Sequence, residues 1–119
     1  MVLGFPLFRT RSPERDRETD AARLRRMQYV LDQTVSEMGR ELAGLQRRID
    51  DSMNRAVAVM DDSGDYTERD PKDEKLITDY ESQVSAGQKR IAHLNRQLAV
   101  YQSIGEALSG LRPQEDHDA

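Results

Sequence analysis

The sequence predicts an all-α protein, a long antiparallel two-helix hairpin resembling a coiled coil and completed by self-association into a four-helix arrangement. Apolar residues recur at helical spacing along two long segments, and a cluster of turn-forming residues separates those segments. In addition, 34% of the 119 residues are charged. A chain so polar can present only a narrow apolar stripe on each helix, as a two-helix rod requires.

Start and stop signals bound the two helices. Ser12 precedes a proline at the first helical position of a segment predicted over about 13–61. Asp70 precedes a second such proline, and the second helix is predicted over about 71–109, where Gly110 ends it. An acidic loop, 62–70, joins them within a hairpin domain of residues 13–111.

The two ends of the chain differ from the hairpin in composition. Residues 1–12 are apolar and then basic, and we expect them to form a flexible tail. Residues 112–119 are predicted to form a disordered acidic tail. The segment Arg9–Arg26 holds seven arginines against four acids, and its acidic side chains can pair locally with the arginines.

Each helix has an apolar stripe of regular period. In the first helix, ten steps cover 36 residues, or 3.6 residues per step, the period of a straight α-helix. In the second helix, nine steps cover 31 residues, about 3.44 per step, nearer the coiled-coil value. The first stripe is Leu24, Met27, Leu31, Val35, Met38, Leu42, Leu45, Ile49, Met53, Ala56 and Met60. The second is Ile77, Tyr80, Val84, Gly87, Ile91, Leu94, Leu98, Tyr101, Gly105 and Leu108.

The stripes match as an antiparallel pair. Residues at one level have numbers that sum to 132 or 133, as for Leu31 with Tyr101 and Ile49 with Val84. The midpoint, near 66, falls in the acidic loop. The Ala43-Gly44 and Ala86-Gly87 pairs are nearly level, which predicts a close approach of backbones there or space for a crossing helix.

A single apolar seam buries too little surface to stabilise two long helices, so a second buried apolar surface is expected. It is predicted at the open end, where the chain ends lie. The interface residues are Leu24, Met27, Tyr29, Val30, Val100, Tyr101, Ile104, Leu108 and Leu111. Two occupants remain open, a second copy or helical partner, and the apolar segment Val2–Phe8 folded back on its own chain. Residues 1–8 could also make weak contact with a membrane surface.

The loop suggests an alternative function. Gly64-Asp65-Tyr66-Thr67-Glu68 resembles the acidic tip of the Gre transcript-cleavage factors, with Arg69 where that family has asparagine. In that family a coiled-coil hairpin carries the tip into RNA polymerase and positions a catalytic metal. The resemblance implies a transcription regulator in which Asp65 and Glu68 are the metal-positioning acids.

Composition disfavours several other functions. The chain has no cysteine, and His93 and His117 have no partners at catalytic or metal-site spacing, so we expect no enzyme activity, cofactor or resident metal. A net charge of −4 disfavours nucleic-acid binding. No apolar run is long enough to span a membrane. We therefore expect a bacterial, cytoplasmic interaction or assembly module: an adaptor, a secretion-associated chaperone or a small structural component.

Overall fold

Two long helices form an extended antiparallel hairpin in the computed structural model, which describes residues 12–62 and 70–112. They are α1, Pro13–Asp62, and α2, Pro71–Ser109. At 1.5 Å per residue, α1 is about 75 Å long and α2 about 60 Å. The predicted hairpin is confirmed, with helix ends within one residue of those expected. Most of the predicted tails and loop lies outside the described residues.

Side-chain and backbone caps explain where the helices begin and end. The Arg15 backbone N–H donates to Ser12 Oγ at 3.2 Å, and the Lys72 N–H donates to Asp70 Oδ1 at 3.0 Å. Each cap satisfies an N–H group that has no partner within its helix. At the end of α2, the Gly110 N–H donates to two carbonyls of the preceding turn, each at 3.2 Å.

The face that α1 turns toward α2 follows a strict heptad repeat. From residue 24 to residue 59 it takes ten steps over 35 residues, or 3.5 residues per step. The face of α2 is the predicted stripe, since all ten of its residues are buried or half-buried. We call these two facing rows the seam. Its α1 residues are Leu24, Gln28, Leu31, Val35, Met38, Leu42, Leu45, Ile49, Ser52, Ala56 and Val59.

The period of 3.6 predicted for α1 is therefore wrong. The seam takes Gln28 in place of Met27, Ser52 in place of Met53 and Val59 in place of Met60. Two helices that remain in contact over many turns must share one period, and the heptad of α2 imposes 3.5 on both. The three methionines are consequently exposed outside the seam, and two polar residues enter it.

A side chain of α1 packs directly against the backbone of α2 at Gly87. A Cβ atom there would lie 2.8 Å from Ile49 Cγ1 and 3.0 Å from Cδ1, so the isoleucine occupies the space that a side chain would need. Ile49 is only 4% exposed. No described atom of α2 lies within 4 Å of the position of a Cβ at Gly44. The predicted approach of the two Ala-Gly pairs thus does not occur, and Gly87 accommodates Ile49 instead.

The register of the two helices also differs from the prediction, in which facing residues have numbers that sum to 132 or 133. Ile49 lies against Gly87 rather than Val84. Leu31 likewise lies against Gly105, 3.3 Å from the position of a Cβ and one seam position beyond its predicted partner. Side chains on a helix lean toward its N-terminus, which shifts their contacts along an antiparallel partner. Each glycine leaves a hole into which the shifted side chain fits.

Two polar pairs cross between the helices. Arg90 Nε donates to Glu41 Oε2 at 2.9 Å and Arg90 Nη2 donates to Oε1 at 3.2 Å, a two-pronged ion pair. The buried Ser52 donates through Oγ to Gln83 Oε1 at 3.0 Å. Pairs of this kind favour one register over its neighbours, because a slipped seam would separate the partners.

The hydrogen bonds from Arg90 hold the pKa of Glu41 below its ordinary value and raise that of Arg90. A carboxyl group whose pKa is lowered by folding stabilises the fold above its unfolded pKa. That contribution is lost as the pH falls through the lowered, folded-state pKa.

Glu41→Gln should therefore lower the free energy of unfolding near neutral pH, and the difference from wild type should shrink in acid. Protonation removes the same charge from the wild-type carboxylate, so the two proteins converge. Chemical denaturation across a pH series measures this effect. Glu81→Gln, at an exposed site on α2, is the control. A Glu41→Gln difference that stays constant into acid would contradict the assignment.

Gly87→Ala should destabilise the hairpin although alanine is the better helix former. The added methyl must displace a stiff, buried isoleucine, a cost of about 1–3 kcal/mol, which outweighs a propensity gain of up to about 1 kcal/mol. Gly39→Ala is the matched control, because nothing lies within 4 Å of its Cβ position. Urea denaturation should show Gly39→Ala stabilised and Gly87→Ala destabilised. Equal stabilisation of both would refute the packing of Ile49 on Gly87.

Candidate functional site

The heptad repeat assigns every exposed residue to one side of the seam. Glu41 and Arg90 each directly precede a seam residue, and their hydrogen bonds show that such positions of both helices lie on the same side. We call this the ion-pair side. The opposite side includes Met53 and Met60. Met53 directly follows the seam residue Ser52, and Met60 directly follows the seam residue Val59.

An apolar surface occupies the ion-pair side at the open end of the hairpin. The exposed fractions are 57% for Met27, 60% for Val30, 59% for Val100, 39% for Ile104 and 69% for Leu111. These five residues, here named the open-end surface, lie around the level at which Leu31 meets Gly105. Exposed apolar side chains that collect at one end of a highly charged hairpin are typical of interaction surfaces.

The structure divides the predicted interface residues into three groups. The five residues of the open-end surface are exposed and lie together. Leu24, Tyr101 and Leu108 are half-buried residues of the seam, so their main contact is within the hairpin. Tyr29 is 63% exposed but lies on the other side, where its hydroxyl accepts from Gln33 Nε2 at 2.8 Å. Apolarity alone could not separate these groups, because the separation depends on the seam period.

The beginning of α1 extends past the end of α2. The seam ends at Leu24, which is half-buried. The residues before it in α1, 13–23, here named the overhang, therefore project about 15 Å beyond the seam. Within the overhang, Arg23 Nη1 and Asp20 Oδ1 form an exposed ion pair of 3.7 Å. The overhang continues directly into the open-end surface.

A second apolar group lies near the loop, on the side opposite the open-end surface. Met53, Val57 and Met60 are 50%, 54% and 36% exposed. Beside them is an open cleft of about 320 Å³ whose floor includes Tyr80 and Val84. The two apolar groups therefore lie at opposite ends and on opposite sides of the hairpin. A single flat partner cannot cover both.

The acidic tip predicted to position a metal, Asp65 and Glu68, lies outside the described residues, and so do residues 1–8. The transcription-factor alternative and the membrane-surface contact thus stay predictions. Within residues 12–62 and 70–112, no group of three or more His, Asp or Glu side chains could hold a metal ion. Neither described helix has an apolar stretch long enough to span a bilayer.

Comparison with known proteins identifies no relative. No family model, curated protein or solved structure matches this chain. The candidate site is therefore defined by the geometry of the hairpin alone, through the exposure of the open-end surface and its position beside the overhang.

Proposed function

We propose that this protein is a non-enzymatic helical-hairpin interaction module that assembles through its open-end surface, with a second copy or another helical partner. The observation that carries the proposal is the cluster of five exposed large apolar side chains on one side of one end. In a chain with 34% charged residues, such a patch indicates binding. A bacterial adaptor, a secretion-associated chaperone or a small assembly component would use a surface of this kind.

The small core of the hairpin supports the same proposal. Across the described ranges, five apolar side chains are buried: Met38, Ile49, Ala56, Ile77 and Leu94. Helical domains normally bury a second layer of apolar residues against further helices, as four-helix bundles do. Association through the open-end surface supplies that second layer at the open end, which is the end of the hairpin with the most exposed large apolar residues.

Ile104→Asp should abolish self-association, because it places a charge in the middle of the open-end surface. Val57→Asp is the matched control, since this valine is also exposed, at 54%, but lies at the other end and side. Light scattering over a concentration series from low to high micromolar should show association of wild type and Val57→Asp only. Far-ultraviolet circular dichroism should show equal helix content in all three proteins.

Two results would count against the proposal. A wild-type protein that remains monomeric at high micromolar concentration would exclude self-association. Equal association of wild type and Ile104→Asp would show that assembly uses a different surface.

A further inference from the structure

We infer that the open-end surface binds a second copy of this chain turned end to end, about a two-fold axis that passes beside Val30 and Ile104. In this dimer the two α1 helices run antiparallel against each other, and the two α2 helices do the same. The result is a short four-helix segment at the centre, from which two hairpin ends project in opposite directions. The inference rests on the proposed function and adds the partner and its orientation.

The position of the axis follows from the levels of the exposed residues. Val30 and Ile104 lie next to the level at which Leu31 meets Gly105. Ile104 also lies between Val100 and Leu111, and Val30 is the residue of the open-end surface on α1 that is nearest to it in level. A two-fold axis at this level brings Val30 against Val30 of the second copy and Ile104 against Ile104. Val100 then also lies opposite Ala107 of the second copy, and each contact occurs twice, as in any isologous interface.

Charge complementarity supports the end-to-end orientation. Arg23 and Glu37 lie one heptad before and one heptad after Val30, so the three residues share one face of α1. A two-fold axis at Val30 places Arg23 of each copy opposite Glu37 of the other, which creates two equivalent ion pairs. Asp20 comes near Glu41 of the second copy, whose charge is neutralised by the two hydrogen bonds from Arg90.

The same orientation covers the overhang. Residues 13–23 lie beyond the seam, and in the dimer they lie along residues 37–47 of the second copy's α1. About 50 Å of α1 and about 20 Å of α2, each about 10 Å wide, give roughly 700 Å² per copy. The total of about 1,400 Å² is in the lower half of the range for a stable interface, so dissociation on dilution is expected.

A parallel alignment of the two hairpins fits the surface less well. It would lay the ion-pair sides together over their whole length and bring Arg48 and Arg55 into the interface. Both arginines lie on that side near the middle and the loop. Arg55 already pairs with Asp51 at 3.1 Å, whereas desolvating Arg48 without a new partner is costly. The end-to-end orientation leaves these two arginines in water and restricts contact to the apolar end.

Single-cysteine variants test the axis directly, because the chain has no cysteine of its own. A residue beside a two-fold axis lies near the same residue of the second copy. Val30→Cys and Ile104→Cys should therefore each form covalent dimers with a short bismaleimide. Val57→Cys, exposed at the other end, is the control and should stay monomeric on a denaturing gel. Linkage only in a mixture of Val30→Cys with Ile104→Cys would instead show a parallel dimer.

The outcomes separate this inference from the proposed function. A monomeric wild type in light scattering would refute self-association as a whole. A dimer in which neither Val30→Cys nor Ile104→Cys links to itself would refute the end-to-end geometry alone. Linkage of both, with none for Val57→Cys, is the result that the inference requires.

Charge reversal tests the orientation without chemical modification. Arg23→Glu and Glu37→Arg should each raise the dissociation constant by about tenfold, because each affects two equivalent ion pairs. The double variant should restore an affinity close to that of wild type, since the pairs re-form with reversed polarity. Analytical ultracentrifugation measures the four constants. A double variant as weak as, or weaker than, the single variants would overturn the proposed pairing.

Discussion

The seam residues of α1 pack against those of α2, and the rest of the structure depends on this packing. Each helix touches only the other within the described ranges, so the seam holds both over many turns. Ile49 packs on Gly87, and this contact requires that one position of α2 have no side chain. The register, the side on which each exposed residue lies and the length of the overhang all follow from that seam.

Polar contacts complete what apolar packing leaves undetermined. An apolar row with a constant heptad can slip by one step at little cost, since similar side chains replace one another. The Glu41–Arg90 ion pair and the Ser52–Gln83 hydrogen bond would both be broken by such a slip. The same ion pair marks the side on which the apolar open-end surface lies. In the proposed dimer, Arg23, which lies 3.7 Å from Asp20 within one copy, also pairs with Glu37 of the second copy.

Much of the fold could be predicted from the sequence, for local reasons. Ser12 and Asp70 before their prolines define helix starts within a few residues, because capping depends on neighbouring side chains. The stripe of α2 already has a period close to the heptad value in the sequence, and its prediction is confirmed at every position. In α1, a methionine is adjacent in sequence to each of Gln28, Ser52 and Val59. The apolar stripe predicted at 3.6 residues per step included the methionine each time.

The sequence by itself thus determined two capped helices, their antiparallel order and the end at which surplus apolar residues collect. Only the tertiary structure decided the period of α1, the seating of Ile49 on Gly87 and the side of each exposed residue. Helix propensity and caps act within one turn of the chain, so the helices can be predicted from the sequence. Seam period and register arise from the mutual fit of two helices, and neither helix specifies them alone.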